Sequence, residues 1–255
     1  MGTLDGRIAI VTGAGRGIGL ATACKLAACG ADVVVNDLDA DAAAHAALLV
    51  EKHGVRARTV AGDITVPGLA ERLVDVAVEE LGGLDIVVNN AGYVRDATIG
   101  KLTDEAWQAM LDIHATAPFR LLRAAAPHFR AAARAETERG EPRTRKVVTV
   151  SSIAAQDGNA GQVGYAAGKA AVLGLTRSLA KEWGRYRATV NAVALGVIRT
   201  RITDDVAALD GIENRIALGR LGEPEDAANA VYLLCLPEAD YITGEVIRVT
   251  GGFTL

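Results

Sequence analysis

Three side chains in the 255-residue chain have the types and spacing for acid–base chemistry: Ser152, Tyr165 thirteen positions on, and Lys169 four beyond that. Ser152 closes an apolar, β-branched run (Val147, Val148, Val150) that reads as a buried strand. From Tyr165 onward the residues are small and apolar, without proline, and Ala166, Ala170, Leu173 and Leu175 form an apolar face, so a helix is expected. Residues four apart share a helix face, which makes the phenol and the ammonium neighbours. A free tyrosine, with a pKa of about 10, exchanges protons poorly near neutrality. An ammonium about 4 Å away would favour phenolate by roughly 4 kcal/mol at an effective dielectric of about 20. At about 1.36 kcal/mol per pKa unit, this carries the phenol towards about 7, less whatever solvent screens. A serine at the strand end could hydrogen-bond the same substrate oxygen. Such a pair also occurs by chance on solvated helices, so the reading depends on the elements around it.

Those elements come from a chain with 50% hydrophobic residues, long enough for one large core, and one α/β domain is expected. Lysine and arginine total 27 against 31 acidic residues, a net charge of −4, which argues against nucleic acid or an anionic membrane surface as partner. Cys24, Cys29 and Cys235 have neither metal-site spacing nor a paired framework, so no metal is expected and a reducing cytoplasm suits them. There is no uncharged apolar run of about 18 residues and no signal-peptide core, so a soluble cytoplasmic protein is expected.

In chain order, residues 8–12 form an apolar run fit for a strand covered on both faces. A glycine-rich turn follows, with Gly13, Gly15, Gly17 and Gly19, and then a helical stretch to Cys29. Such a turn lets backbone approach a diphosphate, at which the next helix aims unpaired N–H groups. The spacing Gly13-x-x-x-Gly17-x-Gly19 is not the G-x-G-x-x-G of other dinucleotide folds. A second strand ends at Asp37, eighteen residues beyond Gly19, near where a carboxylate receives adenosine ribose hydroxyls. A carboxylate there repels a 2′-phosphate and favours NAD over NADP; Arg16, inside the turn, pulls the other way. Asp39 and Asp41 read alternatively as helix-start acids. A helix over 40–53 and a strand over 56–61 lead to Asp63 and Ile64. Asp63 is either an acceptor for the adenine amino group or a turn-capping aspartate. A helix over 67–81 and a strand over 84–88 precede Asn89, Asn90, Ala91 and Gly92, which can bridge neighbouring strands under a cofactor cleft. The alternation predicts a doubly wound parallel sheet with ligand at the strands' carboxyl ends, where Gly13, Asp37, Asp63, Asn89, Ser152 and Gly196 all fall.

The chain resembles the short-chain dehydrogenase/reductase family over essentially its whole length. The matching pieces are Thr12-Gly13-x-x-x-Gly17-Ile18-Gly19, Asp63, Asn89-Asn90-Ala91-Gly92, Ser152, Tyr165-x-x-x-Lys169, Asn191, Gly196-x-Ile198-x-Thr200, Thr243-Gly244 and Gly251-Gly252. The resemblance implies a Rossmann-type, doubly wound, parallel seven-stranded sheet with helices on both faces, and hydride transfer between a nicotinamide and a carbonyl/alcohol pair. It implies that Tyr165 is the general acid/base and Ser152 the partner of the carbonyl oxygen. Lys169 would lower the tyrosine pKa and hold the nicotinamide ribose, and Ile198 and Thr200 would hold the carboxamide. Asn90, Ala91, Gly92, Ile64 and Asp63 join the glycine turn and Asp37 as expected coenzyme contacts.

The sequence departs from that pattern at His114, where family members usually carry an asparagine completing a proton-relay tetrad. Pro118 has no N–H, so the His114 carbonyl four residues back loses its helical donor and is free to hold a relay water. On this reading the backbone at 114 carries the relay and the imidazole is secondary; a histidine packed at a kink is the plain alternative. Leu195 stands where the family often has proline before Gly196. The charged stretch 130–146 is expected to be a solvated helix extension, with a basic rim for an anionic carrier such as coenzyme A as the alternative. The segments 93–96 and 102–107 resemble the 3-oxoacyl-thioester reductase branch. Residues 36–38, His114 and residues 158–162 resemble (3R)-hydroxyacyl-CoA dehydrogenase domains. The resemblance therefore points to interconversion of 3-hydroxyacyl and 3-oxoacyl thioesters carried on coenzyme A or an acyl carrier. A steroid, sugar or other secondary alcohol is the alternative substrate, and a non-catalytic dinucleotide sensor the alternative class. Residues 201–218 are expected to form a substrate lid. The resemblance also implies a homotetramer, through residues 224–236 and 246–249 on one axis and the helices holding Ala124 and Leu173 on the other.

Overall fold

The structure, a computed structural model, describes residues 2–200 and 211–253. Seven strands, β1 (Ile8–Val11), β2 (Asp32–Asp37), β3 (Ala57–Ala61), β4 (Ile86–Asn89), β5 (Arg145–Ser152), β6 (Ala188–Leu195) and β7 (Val246–Val249), pair in the order β3-β2-β1-β4-β5-β6-β7. Every pairing is parallel. Such a sheet needs cover on both faces, which is why its inner strands are largely apolar and buried throughout, whereas the edge strands β3 and β7 are partly exposed.

Alternate residues of each run serve opposite cores. Ala9, Val11, Val33, Val35, Val88 and Val148 pack with helices α1 (Gly17–Ala28) and α2 (Ala40–Glu51). Ile10, Val34, Val87, Val147 and Val190 pack with α3 (Leu69–Asp75) and with α5 (Ala117–Arg139) beyond α4 (Asp104–Leu111). After the short α6 (Ala154–Asp157), α7 (Val163–Trp183) covers the second face; α8 (Pro224–Cys235) covers the first. The chain winds outward from β1 to β3, returns to β4, and winds the other way, so the switch point lies between β1 and β4.

The helix expected over 67–81 divides into α3 and a π turn, Val76–Leu81. The kink expected before Pro118 takes the form of a second π turn, Asp112–Thr116, whose Ala117 N–H reaches five residues back to the Asp112 carbonyl. Widening the turn accommodates a proline that cannot donate to residue 114. Leu195 simply completes β6, paired with Ser152 on one side and Val249 on the other. Most of the expected lid, residues 201–210, lies outside the described residues. Beyond it Ile216 and Leu221 pack with Ile153 and Phe253 in a small third core.

The charged stretch 130–146 extends a helix only as far as Arg139, and its end enters a strand remote from Ser152. α5 runs to Arg139, and Arg145 begins β5 at the end opposite Ser152. Seven residue steps at about 3.3 Å each separate that end from Ser152 by roughly 23 Å. The stretch is also paired internally, since the Arg145 guanidinium forks onto the buried Glu136 carboxylate at 2.6 and 2.9 Å.

Candidate active site

At the carboxyl end of β1 the glycine turn closes tightly. A Cβ on Gly19 would stand 2.1 Å from the Gly13 carbonyl oxygen and 2.5 Å from Asn90 Nδ2, so the position admits only glycine. Asn90 ties β4 to the turn, its amide donating to the carbonyls of Thr12 (2.9 Å) and Gly13 (3.1 Å). The Thr12 hydroxyl in return accepts from the backbone N–H groups of Asn90 (3.0 Å) and Ala91 (3.1 Å). Asn89 reaches the other neighbour, donating to the Thr149 hydroxyl at 3.3 Å.

Asp37 ends β2 beside this turn, its carboxylate accepting from Gly15 N at 2.9 Å and Asp39 N at 3.1 Å. Asp39 caps α2, accepting from Asp41 N and Ala42 N, and its second oxygen pairs with Arg16 at 3.1 Å. The helix-start role weighed for Asp39 is therefore what it performs, and it holds Arg16 at the half-exposed rim. These backbone bonds, with Ala42 N first, keep the Asp39 carboxyl below its ordinary pKa. Asp63 is a turn aspartate, accepting from the Thr65 N–H at 2.8 Å and hydroxyl at 2.7 Å, while Ile64 is buried. Across the switch point, the loop after β6 is latched to Gly222 through Arg199 N (2.7 Å) and Val197 O (3.0 Å). That brings Thr200 within 3.8 Å of where a Gly17 Cβ would stand, with Ile198 buried beside it. Asn191, matched within the family pattern, fixes the turn before β7, donating to the Ile242 carbonyl and accepting from Glu245 N. A glycine-rich turn, a carboxylate at the next strand end and a loop folded back over the turn together fit a nicotinamide dinucleotide.

Ser152, Tyr165 and Lys169 meet at the carboxyl end of β5. The Ser152 hydroxyl accepts from Ala154 N at 3.1 Å and acts on the Tyr165 hydroxyl, favouring its ionised form. Lys169 is buried and donates to the Val150 carbonyl at 2.6 Å; its own carbonyl accepts from the Ser151 hydroxyl at 2.9 Å, tying α7 to β5. The expected acidification of the phenol by Lys169 is not what the geometry produces. The ammonium lies 5.8 Å from the Tyr165 ring centre and is turned towards the Val150 carbonyl. Burial raises the Tyr165 pKa above its ordinary value, the Ser152 hydroxyl opposes the rise, and the charge of Asp96 adds to it. With the ammonium turned aside, the desolvation of the phenolate outweighs the Coulomb attraction. Burial also lowers Lys169 to about 8.

His114 is buried in the centre of its π turn. Its Nε2 lies 2.8 Å from the Tyr93 carbonyl oxygen, which can only accept, so Nε2 carries the hydrogen. The ring meets Tyr165 edge-on, centres 5.0 Å apart and planes at 88°. Burial first, and the Lys169 charge second, depress its pKa to about 3. A further arrangement joins two segments far apart in the sequence. Gln162, just before α7, donates to Asp96 at 3.0 Å and accepts from Asn159 at 3.0 Å, while Ala97 N donates to the Gly161 carbonyl at 2.8 Å. This staples the strap 93–97 to the loop before α7. Both segments attract attention in the sequence, but nothing in either announces a contact across 66 positions.

A family model described as enoyl-(acyl carrier protein) reductase matches residues 13–254. The chain is 38% identical to the short-chain reductase protein NovJ of Streptomyces niveus over 254 residues, covering 96% of this chain and 93% of that one. It is 38% identical over 252 residues to the 3-oxoacyl-(acyl-carrier-protein) reductase FabG of Escherichia coli strain K12, covering 97% of each. Among solved structures, a 7α-hydroxysteroid dehydrogenase complexed with NADH and 7-oxo glycochenodeoxycholic acid superposes with a TM-score of 0.90 at 32% identity, covering 98% of this chain and 95% of that one. A short-chain dehydrogenase from Burkholderia cenocepacia in complex with NADP gives 0.89 at 34% identity, covering 98% of each. The likeness thus runs to carrier-protein reductases, and the hydroxyacyl-CoA dehydrogenase side of the expected resemblance gives way to it.

Proposed function

Because the chain belongs to the short-chain dehydrogenase/reductase family of oxidoreductases, we propose that it is a reductase of 3-oxoacyl thioesters, converting the 3-ketone to the alcohol with NADH. The observation that carries the reading is the convergence of Ser152, Tyr165 and Lys169 at one strand end, across the switch point from the glycine turn. The likeness to FabG supplies the substrate class.

Ser152 holds the ketone oxygen by its hydroxyl, and Tyr165 gives that oxygen its proton. A phenol whose pKa is raised stays protonated at neutral pH, which suits it as the acid of a reduction rather than as the base of an oxidation. Lys169 keeps a positive charge behind the phenol and reaches the nicotinamide ribose. Gly13, Gly15, Gly17, Ile18 and Gly19 cradle the diphosphate with backbone. Asp63 and Ile64 meet the adenine, Asn90, Ala91 and Gly92 floor the cleft, and Ile198 and Thr200 hold the carboxamide. When bound, the reduced nicotinamide supplies the hydride.

NADH is favoured over NADPH because the Asp37 carboxylate stands at the end of β2, bonded to Gly15 N, while Arg16 is engaged by Asp39. A 2′-phosphate would meet a like charge there. The three cysteines, unpaired among the described residues, suit a cytoplasmic setting. A homotetramer is supported by exposed apolar residues on α8 and β7 (Leu233, Ile247) and on α5 (Phe119). Leu173 is buried within the protomer and takes no part in that support.

The test is a panel of 3-oxoacyl thioesters and oxo-steroids offered with NADH and with NADPH, with sedimentation on the same sample. Turnover of thioesters with NADH, abolished in Tyr165→Phe, is expected. Turnover confined to oxo-steroids would move the substrate to the class carried by the hydroxysteroid relative, and nucleotide binding without any turnover would leave a sensor.

A further inference from the structure

His114 is a buried titratable group that the proposed chemistry does not use, and it touches two parts of the site at once. One ring nitrogen clasps the Tyr93 carbonyl, where the strap 93–97 leaves the floor of the cleft, at 2.8 Å. The ring edge abuts the Tyr165 ring at 5.0 Å. The same imidazole fills the space over Gly92, where a Cβ would stand 2.5 Å from its Cε1 and 3.0 Å from Nδ1. The far end of the strap is fixed separately, by the Asp96–Gln162 and Ala97–Gly161 hydrogen bonds. The near end therefore depends on the histidine.

We propose that His114 is a positioning residue whose Nε2–H fixes the near end of the substrate strap while its ring edge fixes the phenol of Tyr165. The inference rests on the reading of Tyr165 as proton donor and deepens it. The groups facing the ring are Lys169 and Tyr165 from α7 and Tyr93 from the strap, whose ring lies 6.5 Å away; Asp96 acts on Tyr165. The nearest charge is thus the Lys169 ammonium, which opposes a second cation, and burial opposes it further. The imidazole stays neutral throughout the working range, its pKa being about 3. With Nε2–H committed to the Tyr93 carbonyl, the neutral ring serves to hold geometry. The buried Nδ1, which has no hydrogen-bond partner among the described residues, is consistent with a ring held for its shape and its one donor.

Two substitutions separate the two contacts. His114→Phe keeps an aromatic edge against Tyr165 and releases Tyr93, so the ketone KM is expected to rise about tenfold with kcat little changed. His114→Gln keeps a donor for Tyr93 and removes the edge, so kcat is expected to fall about tenfold with KM little changed. NADH affinity, read by fluorescence, is expected to stay within about twofold in both, and the kcat–pH profile to keep its shape between pH 5 and 9. On the wild-type protein, ¹⁵N-imidazole NMR is expected to show protonated Nε2 and bare Nδ1 unchanged over the same range. That readout needs neither turnover nor a folded variant. Wild-type kcat and KM in both variants would overturn the proposal, as would loss of an ionisation from the pH profile or a His114 signal that titrates near neutrality. An active Tyr165→Phe protein would instead refute the underlying reading, leaving the NMR result as it stands.

Discussion

Replacing Asp37 by serine is expected to move coenzyme preference from NADH towards NADPH. The carboxylate is held rigidly, one oxygen on Gly15 N and the other on Asp39 N, so its charge cannot swing away from an incoming 2′-phosphate. Two unit charges about 5 Å apart at an effective dielectric of about 20 repel by ~3 kcal/mol. Salt in the half-open rim reduces this to ~2–3 kcal/mol, a factor of ~30–150 in relative kcat/KM. Removing the carboxylate also deprives two backbone N–H groups of their acceptor, so both coenzymes are expected to weaken. The informative quantity is therefore the ratio of kcat/KM for NADH to that for NADPH, measured by absorbance at low and high salt. Arg16 amplifies the change once Asp39→Ala frees it from its 3.1 Å partner, so the double variant is expected to go further than the single one. An unchanged ratio in Asp37→Ser, or a wild-type ratio that already favours NADPH, would refute the electrostatic argument.

Lys169→Met is expected to abolish turnover yet raise Tm by a few degrees at pH 7. A buried lysine lowered to about 8, against 10.5 unfolded, binds fewer protons folded than unfolded between those values, so its contribution to stability is least favourable below pH 8 and improves as pH rises through that window. Thermal melts across pH 6 to 10 check the sign, which would be reversed if the lysine were stabilising. Asp96→Asn retains an acceptor for Gln162 and removes the charge that raises Tyr165, so the tyrosine limb of the kcat–pH profile is expected to shift to lower pH by less than about one unit. Glu136→Ala strands the buried Arg145 guanidinium and is expected to cost ~3–5 kcal/mol in denaturant unfolding, with kcat of the folded enzyme unchanged because β5 separates the pair from the site.

The order of strands and helices was legible because a parallel sheet covered on both faces imposes apolar runs of strand length between helix-length segments. The glycine turn, Asp37 and Tyr165 with Lys169 were legible because each answers to local geometry, a turn, a strand end or one helical turn. Local geometry also placed Asp63 as either ligand or cap, and in the fold Thr65 bonds one of its two carboxylate oxygens. What the sequence could not express was direction and solvent. Spacing put an ammonium near a phenol, but the fold aimed it at the Val150 carbonyl, buried it, and withdrew much of the phenol from water, reversing the expected shift. The clasp of His114 on Tyr93 and the staple of Gln162 on Asp96 join residues 21 and 66 positions apart. Such contacts carry no periodicity and no local propensity, because they exist only once the sheet has brought its strand ends to a common edge.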